Sequence, residues 1–311
     1  MSGRGGGALP RKEGWEAEAL LDPAFASRIR SLNLRARLVV EGFMAGLHRS
    51  PYHGFSTEFL DHRAHQPTDP PRLVDWRVYG RTDKLYVKRY SDETNLRAYL
   101  LVDCSASMGY QGTGPSSKME YARSVAASLA LLLLKQRDAV GLCLFDEAVR
   151  SWIRPRTTPG HLDRMLGELV RHEPRGGTKP LDVFTAMASR LPRRGLIVLV
   201  SDLLVPLDTQ VRALRSLASG NHELIVFRIL DATERRLSFP GPVSLRDMET
   251  GEEITTLPSA VGPAYAAAVD QAWRTLNRET ERFRAQLLDL DTSSNLATVF
   301  TSFLAARARL R

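Results

Sequence analysis

The chain is 311 residues long, 43% hydrophobic and 25% charged, with a formal net charge of +8 at pH 7. That much apolar side chain supports a large packed core and excludes a wholly disordered chain, while the basic balance, with a pI near 9.8, points to acidic partners. The arginines behind it (Arg28, Arg30, Arg35, Arg37, Arg307, Arg309, Arg311) alternate with apolar residues and read as solvated helix faces. No stacking-aromatic motif or zinc knuckle accompanies them, so a specific nucleic-acid module is not expected.

In chain order, residues 1–15 are glycine-rich without an apolar leader core and read as a flexible tail. Phe25, Ile29, Leu32, Leu38, Val39, Phe43 and Leu47 recur at helical spacing and predict a helix over residues 23–48. Residues 55–90 are irregular, broken by Pro67, Pro70 and Pro71, with Trp76, Tyr79, Tyr86, Val87 and Tyr90 marking short strands. From residue 96 the pattern predicts a strand over 96–102, a helix over 117–136, a strand over 139–145 and an edge strand over 149–153. Helices over 161–170 and 180–191, a strand over 196–200, a helix over 207–218 and a strand over 224–230 follow. Such alternation implies an α/β fold with a mostly parallel sheet covered on both faces. Residues 231–258 interrupt it with short pieces at 237–239, 243–245 and 254–257 around a hairpin turn at Met248-Glu249-Thr250-Gly251. A long helix over 264–286, a strand over 287–290 and a helix over 296–308 close the chain.

The longest apolar stretch, residues 125–134, is too short to span a bilayer, so no transmembrane segment is expected. Cys104 and Cys143 stand apart in apolar contexts and read as buried small side chains of a reduced, cytoplasmic protein.

Three short stretches make one oxygen-only set: Asp103, Ser105 and Ser107 in D-x-S-x-S, Thr178 after Gly176-Gly177, and Asp202 after Ser201. Each is expected to follow a buried strand, which brings all three to the carboxyl edge of the sheet, where open α/β folds bind ligands. Alternate residues of an extended loop project to one side, so Asp103, Ser105 and Ser107 would face one point. Two acids and three alcohols, without imidazole or thiolate, suit Mg2+, with Mn2+ or Ca2+ as substitutes, and leave a coordination position for another molecule's carboxylate. Taken singly, Ser105 or Ser107 reads more readily as a helix cap, and so does Asp202 ahead of the Pro206 helix; their joint occurrence in this order, each after an apolar run, favours the metal. A hydrolytic metal needs a nearby base; Glu120 and Asp146 are the candidates, both expected on solvated surface. His48, His53, His62 and His65 share no periodicity that would group them as ligands.

Asp103-Cys104-Ser105-Ala106-Ser107-Met108, Gly176-Gly177-Thr178 and Ser201-Asp202 resemble the metal-ion-dependent adhesion site of von Willebrand factor A domains. The flanks resemble a bacterial family of formerly unknown function built on such a core. They are Gly54 to Phe59, Val74-Asp75-Trp76-Arg77 and Lys84 to Lys88 before the site, then Lys118, Asp138 to Leu142, and Asp247-Met248-Glu249-Thr250-Gly251-Glu252. Where that family shows a tyrosine and a glycine-aspartate-aspartate run, this chain has Gln66 to Pro71. The resemblance implies a von Willebrand A-like core over 96–230, a family-specific extension over 16–95, an insertion over 231–285, and the last core strand and helix over 286–311. It also implies Ser105, Ser107 and Thr178 as direct or water-bridged magnesium ligands and Asp103 and Asp202 as the acids that hold the ion. Relatives of this kind are commonly encoded beside MoxR-type AAA+ ATPases. The expectation is therefore a non-enzymatic, magnesium-dependent binding module that serves such an ATPase and captures an acidic residue of a protein partner. A metal-dependent phosphoester hydrolase and a basic nucleic-acid or anionic-membrane binder are the alternatives.

Overall fold

The computed structural model describes residues 22–23, 26, 31–49, 61–64, 86–89, 96–192 and 194–310. The expected tail, residues 66–71 and most of the flanking stretches before residue 96 lie outside them.

Six strands form the central sheet in the order β10-β7-β6-β3-β4-β5: β3 (Arg97–Asp103), β4 (Ala139–Phe145), β5 (Val149–Arg156), β6 (Leu196–Ser201), β7 (Glu223–Leu230) and β10 (Ala285–Asp291). All neighbours run parallel except β5, which turns back antiparallel along the edge of β4. The α/β class with a mostly parallel sheet is therefore the one observed. β5 runs three residues beyond the expected edge strand and accommodates Pro155, as an edge strand can.

Strand periodicity divides the core in two. Leu100 and Val102 of β3 point to one face, under α1 (Leu32–Arg49), α2 (Lys118–Lys135), α3 (His161–Arg171) and α8 (Leu296–Leu310). Tyr99 and Leu101 point to the other, under α4 (Pro180–Ala188), α5 (Leu207–Ala218) and α7 (Pro258–Glu281). Helix α2 is apolar nearly all round because sheet and helices enclose it; the Phe43 and Phe300 rings, 4.9 Å apart, join its two neighbours α1 and α8. Two short antiparallel pairs stand outside the sheet: β1 (Asp61–Ala64) with β2 (Tyr86–Arg89), and β8 (Val243–Arg246) with β9 (Glu253–Thr256).

Some expectations are corrected. Helix α7 starts six residues earlier and ends five earlier than 264–286, because Pro258 is compatible with a first helical turn. Residues 237–239 form no strand; instead α6 (Ala232–Arg236) follows β7, closed by an Asp231–Glu234 capping box. Arg35 and Arg307, expected on solvated faces, are buried, since helical spacing turns them inward onto acids: Arg35 pairs with Glu120 at 3.1 Å and Arg307 with Asp138 at 3.2 Å. Among the described residues no helix is long and apolar enough to cross a membrane.

Candidate functional site

From the end of β3 the chain leaves towards β4, and from the end of β6 it leaves towards β7 on the opposite side. Between these adjacent strands lies the crevice where loops diverge. Asp103 closes β3 and Asp202 follows β6 directly, so strand pairing alone brings both acids to that crevice.

Asp103 is fully buried. Its Oδ1 accepts from the Ser105 N–H at 2.9 Å and its Oδ2 from the Ser201 hydroxyl at 2.6 Å. Burial first, then the nearby Asp202 charge, push its carboxyl up to about 7. The next residues wind into a 3-10 turn, Ala106–Gly109, rather than an extended loop, and this turn swings Ser107 back so that its hydroxyl lies 3.1 Å from that of Ser105. Ser105 stands at the start of the turn without capping it through its side chain, so its hydroxyl is not accounted for as a cap. Between them, burial pushes the Cys104 thiol up to about 12, which keeps it protonated and outside any ligand set.

Asp202 is held from the opposite side. Its Oδ2 accepts from Lys118 Nζ at 2.7 Å, and the same ammonium donates to Glu234 at 2.6 Å. Lys118 is fully buried; burial works against its charge, yet Asp202 and Glu234 hold its pKa above the ordinary value. Leu203 then adopts a left-handed conformation, φ 55°, uncommon for a branched side chain. After this sharp turn the second carboxylate oxygen of Asp202, Oδ1, accepts from Leu204 N–H at 3.3 Å. Pro206, not Asp202, occupies the cap position of α5.

Thr178 reaches the site by a different route. It follows no strand: the antiparallel turn-back of β5 puts α3 and a loop before it. Two backbone hydrogen bonds, Arg175 N–H to Cys104 C=O at 2.9 Å and Ala106 N–H to Gly176 C=O at 2.9 Å, lash this loop against the Ser105 segment. Thr178 itself is half-buried and already engaged. Its N–H donates to Glu249 Oε2 at 2.9 Å and its hydroxyl to Glu249 Oε1 at 2.8 Å.

All five expected residues thus lie around one crevice, four of them buried and one on its rim. Three further residues belong to it. Ser201 orients Asp103, Lys118 orients Asp202, and Glu249 occupies Thr178. Lys118 carried a readable signal: a lysine in the first turn of an apolar helix opposes the helix dipole and calls for acids nearby. The two expected bases are committed elsewhere. Asp146, expected on the surface, is fully buried because Ala148 N–H at 3.0 Å and Arg150 Nε at 2.5 Å engage its carboxylate. Glu120 is partly buried, which alone would raise its pKa, but Arg123 and Arg35 hold it below the ordinary carboxylate value.

As chemistry, the crevice gathers hydroxyl and carboxylate oxygens around a single ammonium, that of Lys118, which pairs with buried Asp202 and half-buried Glu234 and leaves buried Asp103 with no cationic partner among the described residues. A hard divalent cation fits this deficit of positive charge and this donor type. No three His, Cys, Asp or Glu side chains among the described residues come together as a metal cage, so a cation here depends on the hydroxyls and water as well as the acids.

Comparison with known proteins adds the following. The family described as "Protein of unknown function DUF58" matches residues 61–274. The uncharacterized proteins Mb1516 of Mycobacterium bovis and Rv1480 of Mycobacterium tuberculosis are each 29% identical over 293 residues, 93% of this chain and 91% of theirs. Among solved structures, the conserved hypothetical protein BatB from Bacteroides thetaiotaomicron is 16% identical, with 69% of this chain and 98% of that chain covered and a TM-score of 0.46. The SpRpn10 VWA domain is 12% identical, with 66% and 93% covered and a TM-score of 0.41.

Proposed function

The chain belongs to the DUF58 family, and we propose that it is a non-enzymatic, magnesium-dependent protein-binding module of the von Willebrand A type, acting as an adaptor of a MoxR-type AAA+ ATPase. The observation that carries this reading is the meeting of Asp103, Ser105, Ser107 and Asp202 in a crevice with too little positive charge of its own. Ser105, Ser107 and Thr178 would hold the ion together with Asp103 and Asp202. Bound there, Mg2+ would offer an electrophilic position to a carboxylate from a partner.

The chain's own groups prepare that position. Ser201 and the Ser105 N–H fix the Asp103 carboxylate, Lys118 fixes Asp202, and neither acid is free to swing away. Against hydrolysis stands the engagement of both expected bases, since Asp146 and Glu120 are each tied to arginines. The ATPase as partner is supported by the family resemblance and by the basic charge of the chain.

Asp103→Ala and Ser105→Ala are expected to cut Mg2+ affinity, read by calorimetric titration, at least tenfold. Both should also weaken capture of a purified MoxR-type ATPase while circular dichroism stays native. Capture that survives EDTA undiminished would sink the reading.

A further inference from the structure

Glu249 stands at the tip of the β8–β9 hairpin, and the proposed function makes no use of it. Its carboxylate takes both donors of Thr178, the N–H at 2.9 Å and the hydroxyl at 2.8 Å. The turn is built to present it. Asp247 Oδ1 accepts from Glu249 N–H at 2.7 Å and Thr250 N–H at 2.9 Å, Asp247 N–H reaches Glu252 C=O at 2.8 Å, and Gly251 supplies the left-handed φ of 78° that closes the turn. Beside Glu249, the Met248 methyl lies 3.7 Å from where a Cβ on Gly109 would sit, and Glu249 Oε2 lies 3.5 Å from the same point on Gly177. The tip therefore bonds the segment that carries Thr178 and lies beside the segment that carries Ser107.

Helix capping does not account for this contact. The cap position of α4 is Lys179, and its first helical residue, Pro180, has no N–H. The donors that Glu249 takes belong to Thr178, one residue before the cap, and are not among the unpaired donors of the helix.

We infer that Glu249 is a built-in carboxylate ligand: it holds the Thr178 side of the crevice until an acidic residue of a partner displaces it, so the hairpin sets the affinity of the site for other carboxylates. The inference rests on the reading of the crevice as a cation-assisted carboxylate binder. Thr178 has one N–H and one O–H, and Glu249 engages both, so an incoming acid competes for the same donors. Displacement is eased by Glu147, whose Oε1 lies 2.9 Å from the Cβ position of Gly177, the point that Glu249 Oε2 approaches to 3.5 Å, so that like charges meet there. Arg175 and Lys179, exposed on either side of Thr178, are basic neighbours for an acidic segment.

The test uses the full chain as wild type, Glu249→Gln and Asp103→Ala, with a hexaglutamate peptide and Mg2+ as probes. Glutamine keeps one acceptor and the turn but loses the charge. Glu249→Gln is expected to bind the peptide roughly tenfold tighter in Mg2+, since a competing closed state lowers apparent affinity by the fraction it occupies. Amides 243–256 should exchange faster in this variant, with its melting temperature close to wild type. If Asp103→Ala loses Mg2+ binding but Glu249→Gln binds the peptide no tighter than wild type, the inference is overturned and the reading of the crevice stands. If Asp103→Ala binds Mg2+ as wild type does, both fall.

Discussion

The two sides of the crevice are built on different principles. Asp103, Ser105, Ser107 and Asp202 sit in the interior, positioned by adjacent parallel strands and locked by Ser201 and Lys118. Thr178 and Glu249 sit on the rim, one on a loop and one on a hairpin, and meet through side-chain hydrogen bonds across 71 residues of chain. The interior side cannot move without disturbing the core, so it is suited to define where a ligand sits. The rim can exchange partners at small cost, so it is suited to decide when one is admitted. Substitutions should therefore separate into those that damage stability and those that change binding alone.

The largest effect on stability is expected at Lys118. Replacing it by methionine leaves buried Asp202 and half-buried Glu234 without a counter-charge, a loss of about 3–5 kcal/mol in urea unfolding. The deficit should shrink when Asp202→Asn is added, because one uncompensated charge then disappears, and a double-mutant cycle reads that coupling directly. A Lys118→Met protein as stable as wild type would break the division between a rigid interior and an exchangeable rim.

Asp231 comes next. It belongs to the interior side through the loop that leads into α2: its carboxylate accepts from the N–H groups of Gly112 at 3.2 Å, Thr113 at 3.3 Å and Gly114 at 3.0 Å, and from Thr233 and Thr292 hydroxyls. Burial alone would raise its pKa, but the bonds from Thr233, Gly114 and Thr113 prevail and hold it at about 2 against an ordinary 3.8. A depressed folded-state value means that the stabilisation is complete above pH 4 and is lost as pH falls through about 2. The pH-dependent share is about 2 kcal/mol. Asp231→Asn should lose a comparable amount at pH 7 and show a flatter stability profile between pH 4 and 2. Acid titration of both proteins, followed by circular dichroism, measures it.

The same division explains what could be read from the sequence. The interior side was legible because each apolar run ends on its acid, and a parallel sheet aligns strand ends whatever the loops do. The capping box at Asp231 and Glu234 was equally local and was available as a D-x-x-E signal ahead of α6. The motif singles out Thr178, but its arrival by a helix and loop in place of a strand is not legible, because nothing local announces that β5 turns back antiparallel. Asp146 lies in the tight turn between two strands, a place that is usually solvated; its burial depends on Arg150, four residues on. The Glu249 contact was beyond reach: the hairpin itself shows in the pattern, but which loop its tip touches is decided by the packing of whole elements.

The smallest effect on stability, and the sharpest separation, is expected at Thr178. Thr178→Val keeps the shape and removes the hydroxyl at a half-buried position, so unfolding should shift by no more than about 1 kcal/mol. On the rim, however, that hydroxyl serves two competitors, Glu249 within the chain and the acid of a partner. Losing it should speed amide exchange in residues 243–256 and at the same time weaken Mg2+-dependent capture of an acidic peptide, whereas Glu249→Gln speeds the exchange and strengthens capture. Thr178→Ser should restore both properties, since the donor returns without the methyl. If Thr178→Val instead behaves like Glu249→Gln in both readouts, Thr178 serves only to fasten the hairpin, and the carboxylate of a partner is received by the interior side alone.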